Sequence, residues 1–392
     1  MADKGFFIIS DISGYTAFLT HAELEHAEDI LRHLISAMLD RTLPPLSIAK
    51  LEGDAIFSYS PEGSFLQGQS LLETVENMYC VFRETMERTR LNTTCTCTAC
   101  TLIPTLDLKF VAHYGEYVVQ NIGQMRDLQG KEVITVHRLL KNAIKEATGF
   151  EAYAFFSEAA VKAAGMEGIV EAMTPHREEY EHVGVVPGHV HDLHPVWERW
   201  REQKRDVVAA SDAWISLGVD LPVPPPLAWD YVTRPDLKAK WMGVKGMSIF
   251  KPQKGRQAIG SEQHCAHDDA SVTIFQITDW RPFEHYSIRY EPTPGVAMRE
   301  TIYLTPTETG TRVERAATKP IGSSLAGRLK ALVIELFMAK IFKDAAAMIR
   351  LRNLVEADLA EGKAIIVAAD PEGIAKSYAA EHPFKRLTPI VS

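Results

Sequence analysis

The sequence predicts an α+β protein of two domains: an α/β sandwich on a mixed or antiparallel sheet, then a set of short strands covered by one long helix. Three observations predict it. Helical patterns alternate with hairpins over roughly the first half of the chain, without the regular strand-helix repeat of a doubly wound sheet. A proline-rich stretch, Pro222-Val223-Pro224-Pro225-Pro226, then opens a region where short strands come first and a long helix follows. The 392 residues are enough for two cores of ordinary size.

Composition narrows the function classes. A hydrophobic fraction of 46% and a charged fraction of 24% belong to a globular chain. The formal net charge of -9 argues against a nucleic-acid-binding surface, which would be basic. The N-terminus lacks the pattern of a signal peptide and no apolar run offers a membrane span, so the expected location is cytoplasmic. The five cysteines, three of them at Cys95, Cys97 and Cys100, fit a reducing compartment better than a disulfide framework.

In chain order, Phe6, Phe7, Ile8 and Ile9 form a strand that runs through Ser10 to Asp11 and a glycine turn. A helix is expected over 15–41, with Leu24, Ala27, Leu31, Leu34, Ile35 and Met38 on one face. Pro44 and Pro45 stop it. Strands over 46–51 and 55–59, joined by Glu52-Gly53-Asp54, read as a hairpin. A helix over 70–90 follows, with Cys80 in its buried middle. The pattern then gives two strands over 104–122, a helix over 132–147, a strand over 150–157 and a hairpin over 179–193 turning at Pro187-Gly188. A charged helix over 197–206 marks the boundary, so the domains are 1–200 and 223–365, with 201–222 as linker and 366–392 as an unplaced extension. In the second domain a short helix over 227–233 precedes strands from 247 to 313 and a single helix over 324–361. The stripe Leu325, Leu329, Leu332, Val333, Leu336, Phe337 and Ile341 is expected to cover the concave face of those strands.

Asp11 and Asp54 are the sharpest pair of candidate functional residues. If the first strand and the 46–59 hairpin are neighbours, two carboxylates converge at one sheet edge beside the backbone N–H groups of a helix start. That arrangement suits Mg²⁺, or a pair of such ions, holding a triphosphate. The plainer reading is a capping Asp and a turn Asp. Cys95-x-Cys97-x-x-Cys100 can supply three legs of a tetrahedral Zn²⁺ site, with His113 or Cys80 as the fourth. A redox role or an unligated loop are the other readings. His264 and His267 fall on opposite faces of a strand, which favours a pocket-lining or turn role over a metal cluster.

Four segments resemble the class III nucleotidyl cyclases, the adenylate and guanylate cyclase family. They are Asp11-Ile12-Ser13-Gly14-Tyr15-Thr16, Lys50-Leu51-Glu52-Gly53-Asp54, the 108–115 strand LKFVAHYG, and the 127–138 stretch from Asp127 to Arg138. The resemblance covers roughly the first half of the chain and implies a ferredoxin-like α/β sandwich. It implies that Asp11 and Asp54, with the carbonyl of Ile12, hold two Mg²⁺ or Mn²⁺ ions. It further implies that Gly14, Tyr15 and Thr16 face the phosphates, that Lys50 and Asp127 read adenine, and that Arg138 stabilises charge on the reacting phosphate. ATP is then the substrate, cyclic AMP and pyrophosphate the products, and a homodimer the active unit. Two positions depart from the family pattern. Ile134 stands where the family has a ribose-orienting asparagine, about two turns before Asn142, and the triphosphate-binding lysine is replaced near Pro187, close to His189.

The second domain resembles the START-like, polyketide-cyclase-like helix-grip family (SRPBCC). The stretches are Leu227-Ala228-Trp229-Asp230-Tyr231-Val232 with Arg234-Pro235 and Trp241, then 277–283 (ITDWRPF), then the long helix. It implies a curved antiparallel sheet around that helix and an apolar cavity for a hydrophobic small molecule or lipid. Together the two resemblances imply a cyclase modulated by a hydrophobic ligand. The alternative is a weak or inactive cyclase-like module, binding nucleotide or dimerising, attached to a ligand-binding domain.

Overall fold

The computed structural model describes residues 2–381, apart from 43, 65–67, 93–94, 96, 123–124, 268–270, 343–344, 368 and 372. The chain divides into two compact units, Met1–Gln203 together with the segment from Val367 on, and Lys204–Ile366.

The first unit opens with β1 (Asp3–Ser13), α1 (Tyr15–His21), α2 (Leu24–Leu39), β2 (Ser47–Glu52), β3 (Ala55–Pro61), α3 (Gly68–Asn92) and α4 (Thr98–Leu102). It continues with β4 (Asp107–Ile122), β5 (Met125–Gln129), α5 (Lys131–Leu139), α6 (Ile144–Thr148), β6 (Tyr153–Ser157), α7 (Glu158–Ala164), α8 (Glu167–Val170), β7 (Thr174–Tyr180), β8 (Gly184–Asp192) and α9 (His194–Glu202). The strands lie in the order β2-β3-β1-β4-β6-β8-β7, with β5 hairpinned onto β4. Only the β4–β6 pair is parallel among the described pairings. Alternation along β1 sends Phe6, Ile8 and Ile12 to a core shared with α2 and α3, and Phe7 and Ile9 to a second core under α5. Asp11 follows Phe7 and Ile9 in that period and so lies on the α5 face.

Several expected elements differ in detail. The 15–41 helix is two helices, broken at Ala22 and Glu23. The 132–147 helix ends at Leu139, where Asn142 bonds back to the Leu139 carbonyl and the chain restarts as α6. Pro187-Gly188 lies inside β8 and the hairpin turns at 181–183. β6 ends at Ser157 opposite Gly188, so Pro187 has only β7 beside it, as a residue without an N–H requires. Gly188 is needed for close approach, since a Cβ there would collide with the Phe156 carbonyl.

The second unit contains β9 (Ile215–Leu221), α10 (Pro225–Thr233), α11 (Pro235–Met242), β10 (Gly246–Phe250), β11 (Glu262–Ala266), β12 (Val272–Arg281), β13 (His285–Thr293), β14 (Val296–Thr307), β15 (Gly310–Ala317), β16 (Ile321–Gly322), α12 (Leu325–Phe342) and α13 (Ala346–Ala360). Its antiparallel sheet runs β10-β11-β12-β13-β14-β15-β9, with β16 on β14. Together with its C-terminal helices this is the expected helix-grip architecture. Trp229 of α10 is fully buried and meets Trp280 edge-on at 4.9 Å, which anchors the helix on the sheet.

The segment expected as a linker is structured. β9 pairs with β15, the Val208 N–H donates to Thr301 Oγ1 at 2.8 Å, and Asp279 Oδ2 accepts the Asp206 N–H at 2.9 Å. The expected extension is structured up to α14 (Ile374–Glu381), which packs on α2 and β2 in the first unit; residues 382–392 lie outside the described ones. The single terminal helix is two helices, and it is α13 that packs on α11 and β9. The apolar stripe of α12 does not cover the sheet: Leu325, Leu329, Leu332, Val333 and Leu336 are exposed, and Ala331 and Ile334 pack on Val296 instead. The helix is apolar nearly all round, so no one face is marked for burial. The side chains of Phe337 and Ile341 lie outside the described ones.

Candidate functional site

Register brings the first candidate pair together. Asp11 of β1 stands opposite Ala55, the residue after Asp54, and the Ile12 N–H points to the Asp54 carbonyl at 3.4 Å. Burial pushes the Asp54 carboxyl up to about 6, and the nearby Asp11 charge pushes the same way. A raised carboxyl beside a second carboxylate is the electrostatic signature of a shared anionic site. Tyr15 lies in the same field: burial raises its hydroxyl above the usual value, and Asp54 adds to the shift.

Lys109 also occupies this site, on the neighbouring strand β4. It stands directly across from Asp11, and its Nζ lies 3.0 Å from Asp11 Oδ2 and 3.4 Å from the Leu140 carbonyl. One cation thus faces two carboxylates, and the group keeps a net negative charge. Oxygen ligands with surplus negative charge fit a hard divalent ion. Gly14 closes the turn in the left-handed region, at φ 85°, and a Cβ there would lie 2.8 Å from the Thr105 carbonyl. Tyr15 and Thr16 begin α1 immediately after it.

The other expected residues lie on separate elements. Lys50 on β2 is exposed and pairs with Glu52 at 3.6 Å, and Glu52 also reaches His137 of α5 at 3.4 Å. Arg138 and Ile134 are exposed on α5, Ile134 at 58%. Asp127 on β5 accepts the N–H of Leu128 at 3.0 Å. No ion pair or hydrogen bond joins Lys50, Asp127 and Arg138 to each other among the described residues. Asn142 lies beyond the end of α5, where its Nδ2 donates to the Leu139 carbonyl and its Oδ1 accepts from Ile144 N–H and the Tyr153 hydroxyl. His189 lies on β8 with Nδ1 3.9 Å from Glu158.

A second cluster forms around the cysteines. The side-chain ligand atoms of Cys95, Cys97, Cys100 and His26 all lie within 4.8 Å of one another. Neither expected fourth partner joins them. Cys80 is fully buried in α3, and His113 is held by Ser157 Oγ at 2.7 Å and Glu132 Oε2 at 2.8 Å. His113 thereby ties β4 to the start of α5 and the cap of α7.

In the second unit the expected apolar interior carries charge. Glu300 and Arg315 form a buried bidentate pair at 2.8 Å for both bonds, and Lys238 donates to Gln263 Oε1 at 2.7 Å. Burial pulls Lys238 down to about 8. His264 pairs with Glu262 at 3.1 Å and stacks on Phe250, whereas His267 meets Thr273 at 3.1 Å. Among the described residues an open groove of about 540 Å³ is lined by Ile259, Met298 and Ile321 beside Arg289 and Arg299.

Comparison with known proteins follows the same division. Residues 213–357 match the family model described as polyketide cyclase / dehydrase and lipid transport. Residues 31–148 match that of a protein of unknown function, DUF2652. An uncharacterized protein of Mycobacterium tuberculosis, Rv2561/Rv2562, is 29% identical over 163 residues, which are 42% of this chain and 73% of that protein. Among solved structures, the adenylyl cyclase CyaB from P. aeruginosa is similar at 19% identity and a TM-score of 0.38, over 49% of this chain and 95% of that one. The guanylyl cyclase Cya2 is similar at 21% identity and a TM-score of 0.37, over 48% and 94%. For protein MLL2253 from Mesorhizobium loti the values are 18% and 0.27, over 36% and 96%. The match over residues 213–357 falls in the second unit, where the helix-grip domain is expected. No helix among the described residues is long and apolar enough to cross a membrane.

Proposed function

We propose that the first unit is a divergent class III nucleotide cyclase, which binds ATP with Mg²⁺ or Mn²⁺ at Asp11 and Asp54 and converts it slowly to cyclic AMP and pyrophosphate. The single observation that carries this reading is the Asp11–Asp54 pair, whose mutual repulsion is only partly offset by Lys109. The metal ions would neutralise the triphosphate. Asp11 and Asp54 hold the cations, the start of α1 faces the phosphates, and Arg138 offsets charge on the reacting phosphate. Lys50 and Asp127 read the base, and the resemblance to the cyclases implies a homodimer in which they serve the partner's site. Ile134 cannot donate the hydrogen bond that orients the ribose, which costs on the order of 2.7–4 kcal/mol of transition-state stabilisation and makes the enzyme slow. The second unit binds a hydrophobic small molecule or lipid and modulates the first; its match to a lipid-transport family supports this. The protein acts in the cytoplasm.

The test is incubation of the full chain with ATP and Mn²⁺ beside an Asp54→Ala control. Cyclic AMP above the control is expected, and its absence removes the cyclase reading. A second reading is favoured by the exposed Ile134 and by the commitments of Asn142. In it the unit binds nucleotide without turnover, and calorimetry would record binding of ATP while no product forms.

A further inference from the structure

We propose that His26, Cys95, Cys97 and Cys100 form a zinc site that clamps the first turn of α2 to α4 and thereby fixes the wall behind the Gly14 turn. The proposal stands on its own geometry and does not depend on nucleotide binding. His26 Nδ1 lies 3.1 Å from Cys97 Sγ and 3.7 Å from Cys95 Sγ, and all four ligand atoms fall within 4.8 Å of one another. Zinc bonds sulfur at about 2.3 Å, so tetrahedral sulfur ligands stand about 3.8 Å apart, and to enclose the ion the widest pairs close by up to about 1 Å while the His26–Cys97 pair opens by a few tenths. Three thiolates and one imidazole are a zinc donor set, and four protein ligands close the shell, as in structural sites. The ligands come from segments 69 residues apart in sequence, His26 and Cys95, so the cluster is a product of the fold and not of a local turn.

A second link joins the same two segments. Glu23, one turn before His26, accepts the N–H groups of Thr98 at 3.1 Å and Ala99 at 2.9 Å, and so holds the start of α4 where Cys97 and Cys100 face His26. The consequence for the rest of the unit runs through the chain after α4. A short turn, Ile103–Thr105, follows it, and the Thr105 carbonyl is the atom that a side chain at position 14 would strike. α1 itself packs on α4. A metal bound at the cluster therefore braces the turn that carries Gly14. Loading requires the three thiols in their deprotonated form, with release of their protons to solvent.

The experiment uses the full chain purified without chelators, with metal content measured by plasma mass spectrometry and the zinc then exchanged for Co²⁺. One zinc per chain is expected, together with visible bands and sulfur-to-cobalt charge transfer typical of a tetrahedral thiolate site. His26→Ala should weaken zinc by more than the about 10–100-fold that an outer-shell change costs, and His26→Cys should restore tight binding with a four-thiolate cobalt spectrum. Should Cys97→Ser fail to fold, those two variants still decide the matter. A chain that takes up no zinc or cobalt, a cobalt spectrum unchanged by His26→Ala, or an intact mass showing a disulfide among the three cysteines would overturn the site. Zinc loading should also slow hydrogen exchange at residues 98–106 and 14–16; unchanged exchange at 14–16 would overturn the brace.

Discussion

In the second sheet, buried Glu300 of β14 and half-buried Arg315 of β15 meet through two charge-assisted hydrogen bonds of 2.8 Å, so these two charges are matched. At the end of β1 in the first unit, Asp11 and Asp54 are only partly buried and share one counter-charge, Lys109. The second unit matches Glu300 with Arg315 and keeps Lys238, held by Gln263, as a surplus cation that burial pulls down to about 8; the first unit has the opposite imbalance, two carboxylates to one lysine.

The largest effect should come from breaking the balanced pair. Arg315→Met leaves Glu300 buried without its partner and is expected to cost about 3–5 kcal/mol in urea unfolding of the second unit, most of it recovered by adding Glu300→Gln. If the single change proves neutral, the pair is not closed as described. At the unbalanced edge, Ile134→Asn should raise cyclic AMP formation by on the order of a hundredfold, the lower end of what one orienting hydrogen bond supplies. No gain in rate would favour binding without turnover.

Proton linkage gives a smaller, signed effect. With its carboxyl near 6, Asp54 holds a proton in the folded state over a window where the unfolded chain has released it, so the apoprotein loses stability as pH rises from about 4 through 6. Asp54→Asn should flatten that slope, by about 1 kcal/mol once solvent screening of this half-exposed group is allowed for. Cation binding runs the other way. Mn²⁺ affinity of the native chain should rise about tenfold between pH 5 and pH 7, as the competing proton leaves. The smallest change expected is that of Lys109→Met, which removes the resident counter-charge and should tighten Mn²⁺ several-fold, about 1 kcal/mol. Weaker Mn²⁺ binding in that variant would make Lys109 a partner of the ligand instead of a competitor.

What the sequence disclosed and what it hid follow from the range of the interactions. Gly53-Asp54 and Asp11 were legible because turn chemistry and strand alternation are local, and both carboxylates fall where the pattern puts them. Lys109 lay within a quoted motif, yet its role depends on strand register, which one strand cannot reveal. His26 escaped because its nearest cysteine partner is 69 residues away; a histidine on the polar side of an amphipathic helix was the available signal. The long terminal helix was misread for the opposite reason. No glycine or proline stands between Ile341 and Arg350, so nothing local announces a break, and an apolar stripe says that something is to be covered without saying what. In the second unit Glu300 and Arg315 interrupt an otherwise apolar alternation, and that they meet depends on the β14–β15 register, which neither strand alone reveals.

The most direct test of the central claim is titration of the full chain with Mn²⁺ in the presence of ATP, followed by electron paramagnetic resonance of the free ion, for the native protein and for Asp54→Ala. Saturable uptake of Mn²⁺ by the native chain, weakened at least about a hundredfold in the variant, is the predicted result. Equal uptake by both proteins, or none by either, would contradict an Asp11–Asp54 cation site.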